Sequence, residues 1–136
     1  MIDNEKIRMA QDYDQNSYCQ RNSILDSLSN FRESIKDFIK NNPQRFASSE
    51  TPFTIADLGC ADGTNSVPIF DLVISSIRET YPDFPISIYL NDTPVTDLFT
   101  TMKNVIAGLE KHEIIWIYSI GKSFYEPLFP ENSIDL

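Results

Sequence analysis

The stretch from Asp57 to Asn65 carries the residue types best suited to holding a small polar ligand. Gly59 and Gly63 lie four residues apart, and glycine lets a ligand approach the backbone closely. This spacing differs from the G-x-G-x-x-G turn of dinucleotide-binding domains. A helical pattern follows directly, so the free N–H groups of a helix start would lie beside the turn. The alternative interpretation is a tight strand-to-helix turn that binds nothing.

Asp92, in the run Asn91-Asp92-Thr93-Pro94, is a second candidate. Nucleoside-binding α/β domains place an acid after a strand, where its carboxylate accepts hydrogen bonds from the ribose hydroxyls. Such charge-assisted bonds are about twice as strong as neutral ones. The alternative is an ordinary turn, in which the Asp92 side chain bonds to nearby backbone.

Two further segments combine hydroxyl and aromatic side chains. Ser123 and Phe124 follow a third apolar stretch, and a hydroxyl beside an aromatic ring suits the contact and cover of an adenine. Here the alternative is core packing of the ring. The run YDQNSYCQ, residues 13–20, is polar and aromatic ahead of the first helical pattern. Its alternative interpretation is a helix cap at Ser17.

The elements that would position these segments alternate between helix and strand. Helices are indicated by apolar residues at steps of three and four, and strands by short apolar runs rich in β-branched and aromatic residues. In the first helix this stripe comprises Ile24, Leu28, Phe31, Ile35 and Phe38, and Pro43 marks its end. In order, the predictions are a helix over Ser23–Asn41, a strand over Phe53–Gly59, a helix from about Asn65 to Thr80, a strand over Ile86–Leu90, a helix carrying Leu98, Met102, Val105, Ile106 and Leu109, and a strand over Ile114–Tyr118.

Strands separated by single helices predict right-handed βαβ units and a parallel sheet with helices on both faces. In such a sheet, ligands bind beyond the carboxyl ends of the strands, where all three candidate loops fall. Residues Asn132–Leu136 resemble the start of a fourth strand with no helix to cover it. We therefore expect an α/β fold that is truncated at its fourth strand.

The composition limits the class of partner. The 136 residues contain 11 Lys+Arg and 20 Asp+Glu, a net charge of −9, which disfavours nucleic acid and anionic membrane surfaces. No apolar run reaches the ~18 residues of a membrane span, and we expect an intracellular, cytoplasmic protein. Cys19 and Cys60 are then expected to be free thiols. His112 is the only histidine, so no Cys/His metal spacing exists.

Taken together, the four segments resemble the SABATH methyltransferases, which methylate plant carboxylic acids and the ring nitrogens of xanthine alkaloids. The resemblance covers nearly the whole chain. The matching runs are YDQNSYCQ with the family's S-Y-x-x-N-S-x-x-Q, IADLGCADGTN with I-A-D-L-G-C-x-x-G-x-N, YLNDTPVTDLF with F-L-N-D-L-P-x-N-D-F, and GKSFYEPLFPENSI with P-G-S-F-Y-x-R-L-F-P-x-N-S.

This resemblance implies a Rossmann-like class I methyltransferase fold that binds S-adenosyl-L-methionine, and residues 1–136 would form the N-terminal part of that domain without its helical substrate cap. Gln20 matches the glutamine that bonds a substrate carboxylate. Three positions depart from the family pattern: Thr93 replaces leucine, Asp62 a small residue and Lys122 a proline. The implied cofactor contacts are Tyr13, Ser17, Asp57, Gly59, Cys60, Asn65, Asp92, Thr93, Ser123 and Phe124.

The activity expected from the resemblance is methyl transfer to the carboxylate of a small organic acid. A carboxylate with a pKa near ~4 is ionised at neutral pH, so the reaction needs no general base. Two alternatives stay open: methylation of a heterocycle nitrogen, and a nucleoside-binding module without catalysis. The resemblance also allows a homodimer.

Overall fold

The computed structural model describes residue 23 and residues 27–136 of the chain. Helix α1 covers 27–41 and is followed by a short 3-10 helix, Pro43–Phe46. The remaining elements are β1 (Phe53–Leu58), α2 (Val67–Thr80), β2 (Ile86–Asp92), α3 (Leu98–Gly108) and β3 (Ile115–Gly121). The predicted alternation of helix and strand is confirmed.

Helix α1 packs on β1 through part of its predicted stripe. Ile35 is buried and Phe31 and Phe38 are partly buried in the core, and the Phe38 and Phe53 rings meet edge to face at 6.0 Å. Ile39 is also buried, although the predicted stripe omits it. Ile24 lies outside the described residues. As predicted, the helix ends shortly before Pro43, because proline cannot supply the next helical N–H.

The three strands are parallel and lie in the order β1-β2-β3. Strand β2 runs two residues further than predicted, and β3 ends at Gly121 instead of Tyr118. The sheet hydrogen bonds continue through the pairs Asn91–Ile120 and Asp92–Gly121, so polar residues that look like the ends of strands lie inside them. The strands therefore carry these polar side chains on rigid backbone.

One face of the sheet forms the hydrophobic core with the helices. Its side chains are contiguous with those of all three helices. The strand residues of this face are Phe53, Ile55, Ile86, Ile88, Leu90, Ile115 and Ile117, and the helix residues buried against them are Ile35, Ile39, Phe70, Val73, Ile74, Ile77 and Val105.

The opposite face of the sheet is not covered by a helix among the described residues. Trp116 and Tyr118 on this face are nearly half exposed, and Tyr89 stacks on Tyr118 at 4.9 Å. The predicted parallel sheet and its helices are confirmed, but the helices lie on one face here. Both crossovers step along the sheet in the same direction, and right-handed crossovers in one direction put their helices on one face.

The C-terminal residues run beside β1, on the edge away from β2. Thr54 O accepts hydrogen bonds from Asp135 N and Leu136 N, and Ala56 N donates to Leu136 O at 2.9 Å. This is the bonding pattern of a parallel neighbour. The Arg45 guanidinium secures it with two bonds of 2.6 and 2.7 Å to the Asp135 carboxylate. The predicted start of a fourth strand therefore lies next to β1.

Candidate functional site

The loops that follow the three strands lie at the same edge of the sheet. Leu58 pairs with Asn91, and Asn91 pairs with Ile120, so the carboxyl ends of the strands are level. We call residues 59–66 the first loop, 93–97 the second loop and 122–125 the third loop. The predicted convergence of the three loops is confirmed by this register.

Asn91, a residue of the central strand, holds the first and third loops together. Its backbone oxygen accepts hydrogen bonds from Gly59 N at 2.8 Å and Cys60 N at 3.0 Å. Its side-chain Nδ2 donates to Ile120 O at 2.9 Å and to Lys122 O at 2.8 Å. Asn91 is fully buried, so no solvent competes for these bonds. The sequence analysis did not select Asn91. The signal that could have identified it is an amide side chain at the end of an otherwise apolar strand.

Asp92 links the second loop to the first. Its Oδ2 accepts the Ala61 N–H at 2.8 Å, and its Oδ1 accepts from Thr93 N at 2.7 Å and from Thr96 Oγ1 at 2.8 Å. The turn interpretation of this aspartate is thus correct for Oδ1, whereas Oδ2 reaches across to another loop. The ribose contact of Asp92 stays a prediction of the sequence.

These bonds limit what the Asp92 carboxylate can still accept. A carboxylate oxygen accepts about two hydrogen bonds, so Oδ1 is filled and Oδ2 has room for one more donor. Burial acts to raise the pKa of Asp92, but the hydrogen bonds from Thr93, Ala61 and Thr96 outweigh it and hold the pKa below its usual value. The carboxylate is therefore ionised at neutral pH and can take one ribose hydroxyl without losing an internal bond.

Asp57 lies near the end of β1 and bonds to the residue that precedes α2. The Ser66 hydroxyl donates to Asp57 Oδ2 and makes no capping hydrogen bond to α2. Burial raises the pKa of the Asp57 carboxyl, and the charge of Asp92 raises it further, while the Ser66 bond lowers it. The folded chain thus opposes the ionisation of Asp57, and a cationic ligand would favour it.

Cys60 is buried and its backbone is already hydrogen-bonded. Besides the bond of its N–H to Asn91, its carbonyl accepts the Gly63 N–H at 2.9 Å. Burial and the charges of Asp57 and Asp92 raise the pKa of the Cys60 thiol to about 12. The thiol is therefore protonated at neutral pH, and its sulfur is not a nucleophile. This agrees with the prediction that Cys60 is a free, structural cysteine.

A cleft of about 430 Å³ opens between the first loop, Ser23 and the start of α2. This volume lies in the usual range for small-molecule sites. Gly59 has φ +82°, and a Cβ at this position would meet nothing within 4 Å, so the backbone is open to a ligand. Ser23 and Ile69 contribute to the lining and were not selected from the sequence. The lining residues are Ser23, Asp57, Gly59, Cys60, Ala61, Asn65, Ser66 and Ile69.

Four further predicted contacts are described by the structure but do not line this cleft. Asp92 accepts the Ala61 N–H of the first loop, Thr93 donates its N–H to Asp92, and Ser123 and Phe124 lie in the third loop. Phe124 is half exposed and packs against Tyr125, so it is not a core residue. Tyr13, Ser17 and Gln20 fall outside the described residues.

A profile for SAM-dependent carboxyl methyltransferases matches residues 6–136. The chain belongs to this family. The family assignment made from the four motifs is confirmed, and so is S-adenosylmethionine as the cofactor of the family.

Individual relatives place the match in context. Indole-3-acetate O-methyltransferase 1 of Arabidopsis thaliana is 26% identical over 119 residues, which is 74% of this chain and 30% of that protein. Probable 7-methylxanthine methyltransferase 5 of Theobroma cacao is 35% identical over 89 residues, 60% of this chain and 24% of that protein. A solved structure of loganic acid methyltransferase with SAH has a TM-score of 0.67 and 26% identity, and covers 90% of this chain and 34% of its own. The chain spans about a quarter to a third of the length of these methyltransferases.

The structure bears on all three departures from the family motifs. Lys122, which stands where the motif has proline, donates its N–H to Asp92 O at 3.0 Å, a bond that proline cannot make. Asp62 is exposed and its Oδ1 accepts the Thr64 N–H at 2.9 Å, which fits a solvated turn residue. Thr93 is also exposed, so its replacement of leucine removes no core packing.

Two further features of the described residues are the lack of a metal site and the surroundings of the histidine. Among these residues no group of three or more His, Cys, Asp and Glu could hold a metal ion. His112 Nε2 lies 2.6 Å from Asp71 Oδ1, and Lys111 Nζ lies 2.8 Å from the same oxygen, an arrangement that joins α2 to the end of α3. In the part that the structure describes, no helix is long and apolar enough to cross a membrane.

Proposed function

We propose that this chain binds S-adenosylmethionine across its three strand-end loops, and that the methyl group is transferred to the carboxylate of a small organic acid. One observation carries the proposal: the three loops are bonded to one another by Asn91 and Asp92 beside an open cleft that contains a second carboxylate, Asp57. The family of the chain supports the same cofactor.

The residues around the cleft fit this cofactor in charge and shape. S-adenosylmethionine carries a sulfonium and an ammonium group, and the carboxylates of Asp57 and Asp92 supply a negative field for both. The positive φ and open surroundings of Gly59 leave room for close approach of a ligand to the backbone. Burial and, to a smaller extent, the charge of Asp92 raise the pKa of Asp57, and a cationic ligand would act against both effects.

We assign each predicted contact a role in this proposal. Asp57 and the first loop, with Gly59, Cys60 and Asn65, would hold the methionine part. Cys60 would contribute surface and not a hydrogen bond, because its N–H is used by Asn91. The second loop would hold the ribose and the third loop the adenine. The proposed contacts beyond the first loop are Asp92, Thr93, Ser123 and Phe124, with Tyr13 and Ser17 from the N-terminal segment.

The chemistry required of the protein is mainly positional. When bound, S-adenosylmethionine supplies an electrophilic methyl group. An ionised carboxylate attacks without a general base, so the chain must align the acceptor and exclude water. Neither His112, which bonds to Asp71, nor the protonated Cys60 is available as a base at the cleft. Gln20 is proposed to orient the acceptor carboxylate through its amide.

A ring nitrogen is the second candidate acceptor, because relatives of this chain include both types of enzyme. Indole-3-acetate O-methyltransferase 1 is named for a carboxylic acid, and probable 7-methylxanthine methyltransferase 5 for a heterocycle. The two reactions share the cofactor cleft and differ in the acceptor pocket. We also propose that residues 1–136 are the N-terminal part of one cofactor-binding domain, since the chain matches only about a quarter to a third of each relative. The homodimer and the cytoplasmic location stay predictions of the sequence.

Calorimetric titration of the chain with S-adenosylhomocysteine tests the cofactor proposal. We expect saturable binding at one site per chain. No heat at millimolar ligand, with a chain that unfolds cooperatively and is therefore folded, would reject it. Methyl transfer from radiolabelled S-adenosylmethionine, assayed with aromatic acids, aliphatic acids and xanthines, then separates carboxylate from nitrogen acceptors. Binding without transfer to any of them would favour the nucleoside-binding module.

A further inference from the structure

We propose that Thr101 of α3 is a positioning residue for cofactor binding, because it fixes the first loop from the side opposite the cleft. Thr101 is fully buried, and its Oγ1 donates a hydrogen bond of 2.5 Å to the carbonyl of Ala61. A second, longer contact of 3.2 Å joins the same hydroxyl to Asp97 O in the preceding turn of its own helix. The Ala61 carbonyl thus has a buried donor that comes from another element.

Ala61 needs such support because of its backbone conformation. Its φ is +48°, in the left-handed region that favours glycine. The residue is held from two directions, since its N–H donates to Asp92 Oδ2 and its carbonyl accepts from Thr101. The Cys60 Sγ also lies 3.9 Å from this carbonyl, but a thiol is only a weak donor. Loss of the Asp92 or the Thr101 bond would therefore remove one of the two strong restraints on a disfavoured conformation in the middle of the loop.

Two neighbours of Thr101 on α3 contact the same loop. Asn104 lies three residues further along the helix, and its Nδ2 donates to Asp62 O at 2.9 Å, so one helix face binds consecutive carbonyls of the loop. Gly63 packs against this face: a Cβ there would lie 2.6 Å from Val105 Cγ2 and 3.2 Å from Thr101 Cγ2. The first loop therefore rests on α3 through two hydrogen bonds and one close backbone contact.

This arrangement couples two parts of the proposed site. Helix α3 begins directly after the second loop, and Asp92, the strand residue that precedes this loop, accepts the Ala61 N–H. Asp92, which is proposed to bind the ribose, and the first loop, which is proposed to bind the methionine part, are therefore both linked to α3. The inference rests on the proposed function, because it assigns Thr101 a consequence for cofactor affinity and not for folding alone.

The test compares three substitutions by calorimetric titration of the chain with S-adenosylhomocysteine. Thr101→Val keeps the side-chain shape and removes the hydroxyl, whereas Thr101→Ser keeps the hydroxyl. Thr54→Val is the matched control, because Thr54 is a buried threonine whose Oγ1 also donates to a backbone carbonyl, that of Pro52, at the far end of β1. We expect Thr101→Val to raise the dissociation constant about fivefold, the change that corresponds to one neutral hydrogen bond, with the other two variants within twofold of the wild type.

A second readout does not need the ligand. Hydrogen exchange of the Ala61 and Gly63 amides should accelerate in Thr101→Val relative to amides of β1. Wild-type affinity in Thr101→Val, or an equal loss in Thr54→Val, would overturn the inference. If Thr101→Val does not fold, Asn104→Ala decides, because Asn104 is exposed: faster exchange and weaker binding support the inference and unchanged values reject it. A wild type that does not bind the ligand would instead reject the proposed function and the inference with it.

Discussion

The carboxylate of Asp92 is the side chain whose removal should weaken cofactor binding most among the described residues. It accepts three hydrogen bonds within the protein, from Ala61, Thr93 and Thr96, and has room for one ribose hydroxyl. Asp92→Ala would therefore remove a ligand contact and release the first loop together. Asp62, on the same side of the sheet, is exposed and accepts one local bond from Thr64.

The expected magnitudes follow from these contacts. A hydrogen bond to a charged group is worth ~1.5–3 kcal/mol, which corresponds to an increase of about 10- to 150-fold in the dissociation constant for Asp92→Ala. Asp62→Ala removes a solvated group, and such surface changes stay within ~0.5 kcal/mol, or about twofold. Asp92→Asn should also bind weakly, because donors face both oxygens and an amide presents an acceptor on one side only.

The assay is calorimetric titration of each variant with S-adenosylhomocysteine, with thermal unfolding as the check on folding. The ratio of the two dissociation constants, Asp92→Ala over Asp62→Ala, should be at least about five, the lower end of the estimates above. Equal effects of the two substitutions would mean that the ribose does not lie at Asp92. A large loss of thermal stability in Asp92→Ala with unchanged affinity would show that its bonds serve the fold alone.

Three further predictions concern other residues of the site. Gln20→Ala should raise the Michaelis constant for a carboxylic acid in a methyl-transfer assay about 5- to 30-fold, which corresponds to the loss of ~1–2 kcal/mol of binding energy, and should leave cofactor affinity nearly unchanged. If acceptor binding and cofactor binding were both lost, Gln20 would instead hold the N-terminal segment in place. Asp57→Asn should increase the free energy of unfolding of the ligand-free chain at pH 7, because burial raises the pKa of Asp57 and the folded state then opposes its ionisation; in urea titrations the gain should vanish below pH 3.8, where the carboxyl is neutral in both states. Gly63→Ala should cost more stability than Gly59→Ala in the same titrations, because only at Gly63 does a Cβ clash with Val105, at 2.6 Å, while both share the strain of a positive φ; equal costs would contradict the packing of this loop on α3.

The sheet and its helices were predictable because their residues repeat with a clear period. Short apolar runs and stripes at steps of three and four gave the alternation and the positions of all three strands. The length of β2 was not predictable in the same way. Asn91 and Asp92 have the composition of a turn, but pairing with β3 keeps them in the strand.

The side of the sheet that carries helices follows from strand order, which a single sequence does not contain. Helices on both faces require strands that extend in both directions from β1. In the described chain β2 and β3 extend one way, and only the residues near Asp135 lie on the other side of β1. The uncovered face with Trp116 and Tyr118 is the consequence.

The candidate loops were predictable from residue type and position, but the bonds that hold them were not. Asp57, Gly59 and Asp92 stand out because they lie at the ends of apolar strands. Nothing in the sequence shows that Ser66 bonds to Asp57 or that Thr101 bonds to the Ala61 carbonyl, because only the tertiary structure brings these groups together. The roles of Asn91 and Thr101 therefore depend on contacts between residues distant in the chain.

The central claim is that one nucleoside site is formed by the three loops together. Amide chemical-shift mapping of the isotope-labelled chain during titration with S-adenosylhomocysteine tests it most directly. The account predicts saturable shifts, with a common dissociation constant, at residues 59–66, 91–97 and 121–124. It would be contradicted by a folded chain whose spectrum does not change at millimolar ligand, or by saturable shifts confined to residues elsewhere in the fold.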